Sequence, residues 1–257
     1  MSDAIPRLRM FAGPNGSGKT TVKRDLNKPA AWFGVYINPD DIESAVRATG
    51  LLPLAPFEIT TTTAEVRAYF ASSAFLRGQN LRTSADAIHC ENAALDFCGL
   101  AFNSYHASVL ADFLRRKALD ARTSFTFETV MSAPDKVELL KEAQDRGFRT
   151  YLYFIATDSP EINIQRVKNR LADGGHDVPE TKIVERYHRS IALLGEALRH
   201  TNRAYLFDTS GEPWFFAEVT NGTTIELKTG GQIPSWFEPI ADQFAADSPP
   251  SAGDSDE

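Results

Sequence analysis

This sequence predicts an α/β fold in which a parallel sheet is covered by helices on both faces, and two observations carry that reading. Five short apolar segments, several of them β-rich, recur between longer helical stretches: Leu8–Ala12, Val35–Ile37, Ser124–Phe127, Thr150–Ala156 and Arg203–Phe207. Short apolar strands alternating with helices indicate parallel strands buried on both sides. The second observation is GPNGSGKT, residues 13–20, which follows the apolar LRMF and precedes a plausible helix. That frame confirms a G-x-x-x-x-G-K-[ST] phosphate cradle, so the expected fold is a three-layer P-loop NTPase with a five-stranded parallel sheet.

Bulk properties narrow the class. The 257 residues suit one sizeable α/β domain with an insertion. A hydrophobic content of 42% and a charged content of 24% are ordinary for a globular protein, and no apolar run reaches membrane-spanning length. The start, MSDAIPRLRM, is too short and polar for a secretory leader, and the two cysteines, Cys90 and Cys98 in a helical-looking segment, make a poor disulfide framework. A cytoplasmic location is expected. The net charge of −7 disfavours nucleic acid as a partner but leaves room for a small anionic ligand.

In chain order, the cradle comes first: Gly13, Pro14, Asn15, Gly16, Ser17, Gly18, Lys19 and Thr20, with Thr21 beside them. Its glycines let backbone N–H groups turn inward at phosphate oxygens, and the next helix adds the positive end of its dipole. Lys19 should reach the β- and γ-phosphates of ATP or GTP, and Thr20 should ligate Mg²⁺. After the second strand, NPDDI leaves Asp40 and Asp41 at the edge where ligands sit in open α/β sheets. Asp40 is the candidate base, although both acids also suit a helix cap.

Residues of about 50–110 read as a helical insertion, the expected place for contacts to a phosphoryl acceptor. The third strand ends on Glu128, which could hold Mg²⁺ through water or fix acceptor hydroxyls, with Thr129 assisting. Residues of about 163–192 then read as a helix-loop-helix lid around GGHDVP. Arg166 and Arg170 share one helix face, Arg186 and Arg189 the next, as arginines offsetting charge on a transferred phosphoryl group would. His176 and His188 are not needed beside an aspartate base, and His89, Cys90 and Cys98 lack four-ligand zinc spacing. A hairpin at about 212–230 turns on Asn221-Gly222, and 244–257 reads as a disordered acidic tail behind a single domain of 1–243.

Four ordered motifs, GPNGSGKTT, NPDDI, FTFET and RVKNRLADGGHDVPETKIVERYHRS, resemble the zeta-toxin family of P-loop kinases over roughly residues 8 to 210, the insertion apart. More narrowly the chain is similar to zeta-toxin-like ATPases whose lids carry Gly-Gly-His-x-Val-Pro. The resemblance implies a chloramphenicol-phosphotransferase-like kinase core and, after the best-studied members, transfer of the ATP γ-phosphate to the 3′-hydroxyl of the sugar in UDP-N-acetylglucosamine, a default acceptor because the insertion has no counterpart in the compact toxins. It implies an antitoxin protein as partner. By matched position it gives Lys19 and Thr20 to nucleotide and Mg²⁺, Asp40 to the hydroxyl proton, Glu128 to the third-strand acid, and Asp112 to acceptor contact. Which of Arg170, Arg186 and Arg189 serves as the family's second lid arginine stays open. The competing readings are a P-loop NTPase switch, a nucleotide-dependent binding module, and a nucleic-acid end kinase using a basic groove at Arg115, Arg116 and Lys117.

Overall fold

In the computed structural model, residues 4–79, 81–172, 178–228 and 230–247 are described. The chain begins with β1 (Arg7–Ala12), α1 (Lys19–Asp25), α2 (Ala30–Phe33), β2 (Val35–Ile37) and α3 (Pro39–Thr49). It continues through β3 (Leu51–Pro53), α4 (Thr63–Ser72), α5 (Ala74–Gly78), β4 (His89–Glu91), β5 (Ala94–Asp96), α6 (Ser104–Asp120), β6 (Phe125–Thr129) and α7 (Asp135–Asp145). The rest is β7 (Arg149–Ala156), α8 (Pro160–Ala172), α9 (Glu180–Arg199), β8 (Arg203–Asp208), β9 (Trp214–Thr220), β10 (Thr224–Leu227) and α10 (Glu238–Asp247). The fold is mixed α/β with a large, mostly parallel sheet.

Two compact units divide the chain, one of residues 1–28 with 128–257 and one of 29–127. In the first, β1 pairs parallel with β7 and β7 parallel with β8. The register places Phe11, Tyr153 and Tyr205 side by side, and their rings stack at 4.5 and 4.9 Å. Leu8, Met10, Leu152, Phe154 and Leu206 are fully buried, as strands covered on both faces require.

The main sheet has seven strands among the described residues where five were expected. The five apolar segments are all present, and the difference is the hairpin: β9 pairs antiparallel with β8, and β10 with β9. A strand edge left at β8 would expose unpaired backbone groups, and β9 covers it while burying Phe216, Ala217 and Val219. Asn221 and Gly222 both take positive φ, 50° and 69°, as a tight two-residue hairpin turn demands. α10 runs through Asp247, into the first residues of the expected tail, and 248–257 lie outside the described residues.

In the second unit β2 pairs parallel with β6, from Val35 with Phe125 to Ile37 with Phe127. The insertion is not all helical: a three-stranded antiparallel sheet, β3-β5-β4, accompanies α4 and α5. Cys90 therefore lies on a strand and Cys98 just beyond one, not in a helix. The β4–β5 turn is Asn92-Ala93, with φ of 50° and 58°. An alanine there replaces the glycine that ordinarily marks such turns, which is why the hairpin escaped detection. Among the described residues no helix is long and apolar enough to cross a membrane.

Candidate active site

The cradle is built on close backbone approach. Gly16 holds φ of 76°, and a Cβ there would come 2.6 Å from the main-chain oxygen of Asn163 on α8. Lys19 folds back over the loop, its Nζ donating to the carbonyls of Gly13 at 2.8 Å and Pro14 at 2.9 Å. Thr21 follows in the first turn of α1. The hydroxyl of Thr209, just past β8, donates to the Ser17 carbonyl at 2.8 Å and ties the loop to the last parallel strand.

Two of the four lid arginines reach this region. Arg166 on α8 donates to the Thr209 carbonyl at 2.6 Å and to its hydroxyl at 3.3 Å. Arg186 on α9 donates to Asn15 Oδ1 of the cradle at 3.4 Å. Arg170 is exposed, and Arg189 forms an exposed pair with Glu185 at 3.6 Å, a surface contact of little energetic weight. Of GGHDVP, residues 174–177, His176 included, lie outside the described residues. His188 is exposed, its ring edge-on to Tyr187.

Sequence reasoning missed the node beneath α8 and α9. Asn163 is fully buried; its amide donates to the Asn15 carbonyl at 2.5 Å, and its oxygen accepts from the Thr157 hydroxyl. The Thr157 carbonyl in turn accepts from the Tyr187 hydroxyl at 2.7 Å. Thr157 and Thr209 each follow a parallel strand at its carboxyl end, and that position was the available signal. Burial, then Asp158, Asp208 and Glu161, push the Tyr187 phenol up to about 12.

Above the ordinary phenol value of 10.0 the unfolded chain releases a proton that the folded state keeps, so this stabilisation is complete below about pH 10 and lost as pH rises through about 12. Tyr187→Phe should cost about 1–2 kcal/mol at pH 8 by leaving the Thr157 carbonyl without its donor. In urea melts from pH 9 to 11, the variant should lose stability less steeply than the unsubstituted protein.

Glu128 pairs with Lys23 at 2.7 Å and accepts from the Thr20 hydroxyl at 3.4 Å. A hydroxyl and one carboxylate are hard oxygen ligands of the kind Mg²⁺ takes together with substrate phosphates, so this pair fits that ion. Thr129 is used locally, its hydroxyl accepting from the Met131 amide at 3.0 Å.

In the second unit Asn38, not an aspartate, caps α3, accepting from the Asp40 amide at 3.1 Å. Asp40 and Asp41 stand exposed in the first turn, where the helix dipole favours negative charge. Asp112 is half-buried: it accepts from the Tyr69 hydroxyl and pairs with Arg115 at 3.0 Å. Burial and Asp112 together raise the Tyr69 phenol well above its ordinary value. Arg115 is itself buried, its guanidinium 5.0 Å from the centre of the Phe127 ring, and Lys117 pairs with Glu65. Two members of the supposed basic groove are thus engaged within the unit.

Strand, glycine-rich loop, lysine and helix on a mostly parallel sheet define a P-loop α/β fold. Residues 102–209 match the Zeta toxin family model, in agreement with the resemblance the motifs carry. An uncharacterized protein of Haemophilus influenzae is 31% identical over 70 residues, 27% of this chain and 50% of that protein. The crystal structure of AvrRxo1-ORF1:AvrRxo1-ORF2 with sulphate ions is similar at a TM-score of 0.52 and 16% identity, over 93% of this chain and 64% of that one. The AvrRxo1-ORF1:-ORF2 structure with ATP gives 0.50 and 15%, over 99% and 67%. The chain thus spans half the length of its curated relative, and the structural likeness at these identities concerns the fold.

Proposed function

We propose that this protein is an ATP-dependent small-molecule kinase of zeta-toxin type, with GTP as the alternative donor. The observation that carries the reading is the complete cradle of Gly13–Thr20 with Arg186 bonded to its Asn15 and Arg166 to Thr209, which itself bonds to Ser17 of the cradle. A pure anion-binding turn needs no such arginines, whereas phosphoryl transfer gains from cations that meet charge developing on the γ-phosphate. A protein complex of similar fold has been crystallised with ATP, which supports the nucleotide.

Cradle amides and Lys19 hold the β- and γ-phosphates, and Arg166 and Arg186 offset the charge on the transferring group, with Arg170 and Arg189 as outer cations. Thr20 and Glu128 would hold Mg²⁺, which when bound neutralises phosphate charge. The acceptor hydroxyl oxygen bonds to the γ-phosphorus, its proton passes to Asp40, and the bond to the bridging β–γ oxygen breaks to release ADP. Asp112, Glu128 and Thr129 contact the acceptor. The acceptor class is a nucleotide-linked metabolite, with UDP-N-acetylglucosamine as the first compound to try. The same reading extends to one kinase domain over 1–243, a cytoplasmic location and an antitoxin partner.

The test is incubation with ATP, Mg²⁺ and a metabolite extract spiked with UDP-sugars, read by mass spectrometry for a species heavier by one phosphate. Lys19→Ala should abolish that species, with phosphoryl transfer lowered at least about 100-fold. ADP formed without a phosphorylated product would replace the kinase with an NTPase, and nucleotide bound without turnover would leave a binding module.

A further inference from the structure

We propose that the Asn15 side chain is a positioning residue, one that aims Arg186 at the γ-phosphate without neutralising it; this rests on the kinase reading. Both ends of the Asn15–Arg186 contact are fixed. The Asn15 carbonyl is held by the fully buried Asn163 at 2.5 Å, so the cradle's outer turn cannot drift from α8. On α9, Tyr187 is anchored to the Thr157 carbonyl at 2.7 Å, which sets the backbone beside Arg186. Asn15 Oδ1 then accepts from Arg186 Nη1 at 3.4 Å and gives the guanidinium its direction.

The chemistry of the acceptor matters. Among the described residues no carboxylate pairs with Arg186, in contrast to Arg189 with Glu185. A carboxylate at position 15 would hold the arginine more tightly but cancel its charge and repel the incoming phosphate. A neutral amide oxygen orients a cation and releases it readily to a stronger acceptor. ATP carries a γ-phosphate and ADP does not, so the contact should appear as preference for ATP over ADP, not as affinity for the cradle itself.

The experiment measures ATP and ADP affinities by titration calorimetry with Mg²⁺ for the unsubstituted protein, Asn15→Ala, Arg186→Ala and the double variant. Asn15→Ala should leave ADP affinity within about threefold and reduce the ATP-to-ADP preference by roughly tenfold, close to the loss in Arg186→Ala. The double variant should lose no more than Arg186→Ala alone, because the two act as one unit. Asn15→Asp should weaken ATP more than ADP in the Arg186 background and by a smaller factor in Arg186→Ala, because part of its effect is neutralising the arginine and only the remainder is direct repulsion of phosphate. An unchanged ATP-to-ADP preference in Asn15→Ala, or additive losses in the double variant, overturns the assignment of Asn15 alone. Failure of the unsubstituted protein to bind either nucleotide overturns the kinase reading and this one together.

Discussion

Asp40→Asn should lower the rate of phosphoryl transfer by about 10²–10⁴-fold while leaving ATP affinity nearly unchanged. The amide keeps the shape of the side chain but cannot take a proton, so a loss confined to kcat identifies a base. Capping does not account for this acid. Asn38 supplies the cap of α3, and the Asp40 carboxylate is exposed in the first turn and not consumed in capping. Asp41→Asn is the matched control: the same charge is lost from the same helix turn, and turnover should change by less than about threefold. Small and equal effects at the two positions, within the few-fold change that about 0.3–1 kcal/mol allows, would assign the loss to the helix dipole and not to a base.

Gly13→Ala should be the most destabilising cradle substitution. Gly13 has φ of 145°, and a Cβ there would lie 1.9 Å from the carbonyl oxygen of Ile155 on β7. Neither side can give way, because β1 and β7 are in register along their length and Ile155 is fully buried. A loss of about 3 kcal/mol or more is expected in urea denaturation, with nucleotide binding lost as the loop is pushed open. Gly211→Ala, where nothing lies within 4 Å of the added carbon, should stay within about 0.5 kcal/mol. If the two variants melted alike, close approach at the cradle would not be what requires glycine.

Legibility in the sequence tracked how local each signal is. GPNGSGKT follows a strand and opens a helix, and both facts are written within a few residues of the motif. The five parallel strands were readable as apolar runs for the same reason. Asn221-Gly222 declared its turn, whereas Asn92-Ala93 makes the same turn without the glycine, and a small sheet was read as helix. The hairpin's place beside the sheet edge was legible too, but not that its strands join the main sheet as a sixth and seventh, because pairing register is set by whichever edge the segment meets.

What the sequence alone determined is the class of fold and the place of the phosphates, since glycine spacing and strand–loop–helix order act through the local backbone. Only the tertiary structure decided which arginines come near it. Four arginines at helical spacing look alike in sequence, yet Arg166 meets Thr209, Arg186 meets Asn15, Arg189 meets Glu185 and Arg170 stands exposed. The choice is made by contacts between residues far apart in the chain, with buried Asn163 and Tyr187 fixing where each helix face points. Helical period places side chains on a face; long-range packing decides what that face meets.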